Sequence, residues 1–356
     1  VVVAAIERTA YPRFKQTFTQ QELADFYTLT EAESDFIRGK ASGQKPQLSL
    51  AILLKAFQKL GYLPQINDVP SQVRQHMATQ LSLPDVPDEV INLPDSSRKR
   101  YRRAIRAYLQ VKPYGQKGQQ IVIQVVRQSA ETMSDPADLI NVAIEQLVRH
   151  QFELPAFSTL DKLVNHLREQ VHLQLYAQVT AALTAEQKAI LDGLSGREKG
   201  QTRQAFTRLK ALPAKASLKW VGKWEKHLEW LESLMDPQPF LTGLTSTKIE
   251  QFASQAYQME ISDIKGVTTA DKRYTLLLCL LHQMQVRTRD QLVTMYLKRM
   301  GLLHHQAKQR LHDLQDQYRD MSETMVDAFA DVVQQTAETD KLWDKFVIHR
   351  KNNHLG

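Results

Sequence analysis

The chain has 356 residues, 42% of them hydrophobic, with 46 Lys and Arg against 39 Asp and Glu and a formal net charge of +7. That length predicts two or three domains rather than one core, and the apolar content excludes wholesale disorder. A single cysteine, Cys279, excludes an intrachain disulfide framework and points to a reducing cytoplasm; the longest apolar run, around Leu276–Leu281, is far shorter than the ~20 residues of a membrane-spanning helix, so no membrane partner is expected.

Almost every segment repeats its apolar residues at helical spacing, which makes the fold class all-α. Capping boxes, in which a Thr and a Glu or Gln three residues on satisfy each other's free amides, announce helix starts at Thr19/Glu22, Thr30/Glu33, Thr184/Gln187 and Thr247/Glu250. Leu50, Leu53, Leu54, Phe57 and Leu60 form a helical stripe, with Gly61 as its expected C-cap. A second helix is predicted from Pro70-Ser71 onward, giving a helix-turn-helix rhythm with a turn longer than the usual ~3–4 residues. The proline-rich, acidic stretch from Leu83 to Ser96 reads as a linker.

The segment Arg98–Leu109 follows. Tyr101, Ile105, Tyr108 and Leu109 share one helical stripe, while Arg98, Lys99, Arg100, Arg102, Arg103 and Arg106 crowd the rest of the surface, with no nearby carboxylate expected to neutralise them. Unpaired cations repel one another, so such a face either is merely solvated or meets a polyanion. Ile121–Val126 could pass for a strand, but its i, i+1, i+4, i+5 spacing fits a helix and no second strand exists to pair with it. Further breaks are predicted at Gly193–Gly196 and Asp236–Pro239. Residues Arg197 to Lys226 are basic, with Trp220 and Trp224 among the lysines; Trp224, Leu228 and Leu231 read as a core stripe. The last part of the chain is acidic.

Signals for catalysis are absent. There is no Gly-rich phosphate loop, no Gly-x-Ser-x-Gly elbow and no His-Glu-x-x-His pair. His305 and His312 could share a helix face near His304, but they lack companion ligands at a defined spacing, and ordinary surface histidines explain them. Asp316, Asp320 and Glu323 read as a solvated stripe. No catalytic residue, metal ligand or cofactor is assigned to this chain.

Signals for nucleic acid are stronger. Besides the basic helix, Arg74 and His76 lie on the predicted helix after Pro70, and Lys112 follows the basic helix. In Leu154–Arg168, Ser158 and Thr159 sit at a helix start, where free amides favour a phosphate; Lys162, Asn165, His166 and Arg168 are expected to point outward. A plain amphipathic helix with a Ser N-cap is the alternative there.

In order along the chain, Phe26–Thr30, Leu48–Tyr62, Arg103–Leu109 with Lys112-Pro113-Tyr114, Leu154–Leu160 and Leu183–Gln187 resemble the N-terminal region of Tn-3 family replicative transposases. The similarity runs from about Tyr11 to about Leu303. It implies tandem helix-turn-helix-like DNA-binding units, related to the centromere-protein-B domain, followed by further helical modules. The corresponding division is residues 1–90, 91–175 and 176–356, the last for added DNA contact or dimerisation. The implied partner is double-stranded DNA at the terminal inverted repeats, with a homodimer as a further expectation and a bacterial, nucleoid-associated location. The family's metal-dependent Asp-Asp-Glu domain, with its Mg, lies beyond the matched region, so the chain is expected to be a non-catalytic N-terminal part of a transposase. A stand-alone regulator or dimerisation scaffold derived from one remains open.

Overall fold

Helices make up most of the described residues. The computed structural model describes residues 6–83, 93–195, 204–213 and 218–352, and among them it contains fifteen α-helices, two 3-10 turns and no strand. In order these are α1 (Gln20–Tyr27), α2 (Glu31–Lys40), α3 (Gln44–Leu60), α4 (Ser71–Gln80), α5 (Asp95–Leu109), α6 (Gln116–Ala130), α7 (Pro136–Arg149) and α8 (Phe157–Thr180). There follow α9 (Ala185–Leu194), α10 (Gln204–Leu209), α11 (Leu218–Leu234), α12 (Gln238–Leu241), α13 (Ser246–Gln258), α14 (Ile261–Gly266) and α15 (Ala270–Asn352). The chain divides into two compact units, Val1–Arg208 with Asp236–Gln283, and Leu209–Met235 with Met284–Gly356. Among the described residues no helix is long and apolar enough to cross a membrane.

In the first unit, α3 is the central element of one core. Its predicted stripe is buried along with Ile52, Ala51 and Ala56 between, and Leu23, Tyr27, Ile37, Val73, Met77, Tyr101 and Ile105 from α1, α2, α4 and α5 close around it. Gly61 ends the helix as expected, in the left-handed conformation at φ 69°, and its amide donates to the Phe57 carbonyl at 2.8 Å. The position also demands a small residue, because the Leu154 side chain lies 3.4 Å from where a Cβ would stand. The capping boxes at Thr19, Thr30 and Thr184 form as the sequence indicates. That at Thr247 does not: α13 starts two residues earlier, and the Thr245 hydroxyl accepts from the Lys248 amide. A second Thr two positions upstream competed for the cap, and the pattern alone could not rank them. The expected linker falls largely on residues 84–92, outside the described residues.

Glu33 does more than cap α2. Its carboxylate is buried, pairs with buried Lys55 of α3 at 2.7 Å and accepts from the Gln58 amide at 2.7 Å. Burial alone would push its pKa up, but the hydrogen bonds from Lys55, the Thr30 amide and Gln58, with the Lys55 charge, hold it below the ordinary value. Glu33→Ala leaves Lys55 as an uncompensated buried cation, and urea denaturation is expected to show a loss of about 3 kcal/mol. A loss no larger than that of an exposed substitution would mean that the pair contributes nothing.

A second core joins α6, α7 and α8 with Tyr11 from the N-terminal segment; Val122, Val126, Ile140, Ala143, Leu147, Leu160 and Val164 are all fully buried. Asp135 caps α7 by accepting from the Ala137 amide at 2.9 Å, with Pro136 in the first turn where its missing N–H costs nothing. Ile121–Val126 is helical, within α6.

The connection between α7 and α8 is buried rather than exposed. Residues 152–155 are buried, and Lys112 and Phe152 form an isolated parallel bridge. The Lys112 amide donates to the Gln151 carbonyl at 2.7 Å and the Glu153 amide to the Lys112 carbonyl at 2.8 Å. The Leu154 amide reaches the Gly61 carbonyl at 2.9 Å, and the Tyr11 hydroxyl donates to the Pro155 carbonyl at 2.7 Å. This short segment therefore touches both cores.

A buried polar knot ties α13 to α8 and to the turn before α7. The Lys248 ammonium, fully buried, donates to the Met133 carbonyl at 2.9 Å and to Ser134 Oγ, and lies 3.1 Å from His172 Nε2. Burial first, then the charges of Lys248, Arg168 and Lys272, pull His172 down to about 3, so its Nε2 is a neutral acceptor. Burial, then Arg168, pulls Lys248 down to about 8. Above that value the unfolded chain holds a proton that the folded chain has shed, so stability rises with pH from about 8 toward the ordinary lysine range. Comparing wild type with Lys248→Met is expected to show a wild-type gain of about 2 kcal/mol between pH 7 and 10 that the variant lacks. Parallel pH curves would contradict a depressed Lys248.

In the second unit Trp224, His227, Leu231 and Met235 are buried, as the core reading of Trp224 anticipates. Gln285, also buried, donates to the Leu231 and Met235 carbonyls at 3.0 and 3.1 Å, satisfying groups left open at the end of α11. Cys279 is buried, in the part of α15 that belongs to the first unit.

Candidate nucleic-acid interface

The basic helix is α5. Tyr101 and Ile105 are fully buried in the first core, Leu109 packs against it, and Tyr108 stacks on Phe36 at 4.3 Å between ring centroids. Docked by this stripe, α5 presents its cations on the opposite side. The helix ends at Gln110, which takes the left-handed conformation at φ 57° and turns the chain toward Lys112.

The arginines are not equivalent. Arg102 and Arg106 both turn onto Glu153, whose carboxylate has no solvent exposure. Arg102 Nε and Nη2 reach Oε1 at 3.0 and 2.6 Å; Arg106 Nε reaches Oε2 at 2.7 Å and its Nη2 bonds the same oxygen. Each guanidinium thus makes a forked contact with one carboxylate oxygen. The expectation that no carboxylate offsets this face is corrected: the carboxylate comes from 47 to 51 residues away in sequence, carried under α5 by the buried segment after α7. Arg98 bonds Gln65 Oε1 and the Pro64 carbonyl, which fixes α5 to the turn before α4. Lys99, Arg100 and Arg103 remain exposed. Lys99, Arg102, Arg103, Arg106 and Pro113 line one groove. Of the four cations there, Arg102 and Arg106 pair with the Glu153 carboxylate, which leaves the groove a net surplus of three positive charges. Lys112, on the turn beside Pro113, is exposed, with its ammonium 3.4 Å from the His150 carbonyl.

The other candidates divide. On α4, Arg74 and His76 are half-buried; His76 Nε2 lies 2.5 Å from Gln80 Nε2, and burial lowers its pKa, so the ring favours its neutral form. On α8, Ser158, Thr159, Lys162 and His166 are exposed in the first three turns. The N-cap is Ala156, not Ser158, and no side chain caps the helix. Asn165 does not point outward. It is buried, and its Nδ2 donates to the Asp161 carbonyl at 3.0 Å and to Asp161 Oδ1 at 2.9 Å. Arg168 is half-buried and donates to the Ser134 carbonyl at 3.2 Å. Both lie toward the interior because α8 packs against α6 and α7 over a wider arc than its Leu and Val stripe indicated.

Two organising residues were not among the candidates. Gln65 carries no pattern that marks it. Glu153 does have a faint signal: a lone carboxylate within Phe152-Glu153-Leu154-Pro155, an apolar setting in which an acid must find partners. Among the described residues no group of three His, Cys, Asp or Glu could hold a metal ion.

Comparison with known proteins adds to this geometry. Residues 3–167 match a family model described as a domain of unknown function, DUF4158. Over 328 residues, 92% of this chain, the sequence is 21% identical to the transposase for transposon Tn501 of Pseudomonas aeruginosa. The chain is thus similar in sequence to transposases over most of its length. The transposase for transposon Tn2501 of Escherichia coli is 22% identical over 264 residues, 74% of the chain, and that for transposon Tn1546 of Enterococcus faecium 22% identical over 191 residues, 51% of the chain. The chain spans about a third or less of the length of these relatives, 32%, 26% and 19% respectively. The DUF4158 match covers α1 to α7 and the start of α8, and so contains α5, the groove and Glu153.

Replacing the Glu153 carboxylate by an amide removes its charge and sets an NH2 donor against one of the two guanidinium groups, which then loses its acceptor. Glu153→Gln is expected to cost about 3 kcal/mol in urea unfolding. Arg103→Gln, at an exposed neighbour, should change stability by less than about 0.5 kcal/mol. Equal effects would show that the buried carboxylate does not organise this face.

Proposed function

We propose that the chain binds double-stranded DNA through the basic face of α5, at the ends of a transposon, as the non-catalytic N-terminal part of a transposase. The observation that carries the reading is the groove of Lys99, Arg102, Arg103 and Arg106 over one buried carboxylate. A solvated face needs no such support. Here two arginines are held in place while the charge surplus remains, which suits a row of phosphates because less side-chain freedom is lost on binding. Similarity to transposases supplies the class of DNA. Such binding needs no cofactor; in this reading Mg belongs to the catalytic domain of the family.

Phosphate contacts from α5 and Lys112 would position the protein, and base reading would fall to other elements. Exposed Lys162 and His166, with Ser158 and Thr159 at the amide-rich start of α8, are the best placed of the candidates, whereas Asn165 is engaged internally. Arg74 and His76 on α4 remain secondary.

The test uses the two exposed groove cations, which the fold does not need. Lys99→Ala with Arg103→Ala should weaken binding to specific and random duplexes alike. The slope of log affinity against log salt should become shallower by about 2, at roughly 0.9 per phosphate contact. An unchanged slope with an unchanged fold would place the DNA surface elsewhere.

A further inference from the structure

Residues 6–18 precede α1 and, after the 3-10 turn Ile6–Arg8, cross both cores of the first unit without regular structure. On the second core Arg8 pairs with Asp135, and the Ala10 amide donates to Asn141 Oδ1 at 2.6 Å. Tyr11 is buried edge-on against Phe157, 5.4 Å between ring centroids. The Pro12 carbonyl then accepts from the Tyr62 hydroxyl at 3.3 Å. Beyond it Phe14 and Phe18 pack on the first core, and the Phe18 amide donates to Gln72 Oε1 at 3.0 Å. One half of the segment lies on each core.

The helices themselves do little to join the cores. Among the described residues, close helix packing stays within α1 to α5 on one side and within α6 to α8 on the other. Two bodies joined mainly through chain outside helices can hinge unless something braces them. We propose that residues 6–18 are a strap that locks the two cores in one arrangement, and that α5 and the start of α8 form a single DNA surface only while it is closed. The DNA half of this rests on the function proposed above. The two candidate surfaces are close, because α8 begins four residues after Glu153, at most about 14 Å of chain from the carboxylate that holds Arg102 and Arg106. Tyr11 is the latch, the one buried residue of the strap. A segment held by so little buried surface opens at lower cost than the cores beneath it. Opening lowers apparent affinity in proportion to the fraction of molecules left closed.

Electron-spin distances between nitroxide labels read the arrangement directly. Lys40→Cys on α2 and Val148→Cys on α7 place the labels at exposed positions, and native Cys279 is buried. With the strap unaltered the distance distribution should be single and narrow. Tyr11→Ala should broaden it at unchanged helix content, whereas Tyr11→Phe, which keeps the ring, should not. Arg8→Ala with Asn141→Ala loosens the strap on α7 without opening a core, and serves if Tyr11→Ala does not fold. A narrow distribution in the loosened protein overturns the strap. On duplex DNA, Tyr11→Ala should lower affinity about tenfold if about a tenth of the molecules stay closed, with the salt slope unchanged. Lys99→Ala with Arg103→Ala should do the reverse, a shallower slope at an unchanged distance distribution. Broadened distances with undiminished affinity overturn the shared surface. If the unaltered chain binds no duplex, the DNA reading fails by itself, and the distances still decide the strap.

Discussion

Beneath α5 one carboxylate with no solvent contact, Glu153, accepts four hydrogen bonds from two guanidinium groups. Burying a carboxylate costs several kcal/mol unless it is paired and hydrogen-bonded, and here both requirements are met from one helix. The bond network also has a mechanical side. The segment that delivers Glu153 is pinned by the Lys112 bridge on one edge, by the Gly61 carbonyl at Leu154, and by Tyr11 at Pro155. The first core, the second core and the arginine face therefore share a single short stretch of backbone.

This arrangement resolves a conflict that a basic helix poses for its own fold. Arg98, Lys99, Arg100, Arg102, Arg103 and Arg106 fall within nine residues, and mutual repulsion opposes their gathering. Glu153 removes part of that cost from below, and Gln65 with the Pro64 carbonyl anchors Arg98 at the start of the helix. What is left on the outside is a positive surplus on a rigid element. Rigidity matters because each immobilised long side chain costs about 0.5–1.5 kcal/mol on binding, and Arg102 and Arg106 are already held.

Much of the architecture was legible in the sequence. Helical stripes marked α3, α5 and α6, three of four Thr capping boxes formed where the spacing put them, and Gly61 ends α3 as the pattern required. These are local properties, decided by residues within a few positions of one another. The site was legible only as far as its local part. The stripe of Tyr101 and Ile105 fixed which side of α5 faces out, but the pairing of its arginines depends on a residue 47 positions later in the chain. Asn165 failed for a related reason: a polar residue beside an apolar stripe reads as exposed, and only the packing of α8 between neighbours shows that it bonds Asp161 inside. Thr247 lost to Thr245 because two candidate caps two residues apart are nearly equivalent in sequence.

The central claim is that the α5 face, as organised by Glu153, is the surface on which DNA lies. Lysine-selective acetylation read by mass spectrometry tests it directly, because exposed Lys99 lines the groove and exposed Lys112 adjoins Pro113, which also lines it. With saturating duplex carrying transposon-end sequence, both lysines should lose most of their reactivity, and they should regain it as salt releases the DNA. Lys99 and Lys112 as reactive in the complex as in the free chain, while the duplex is demonstrably bound, would contradict the account.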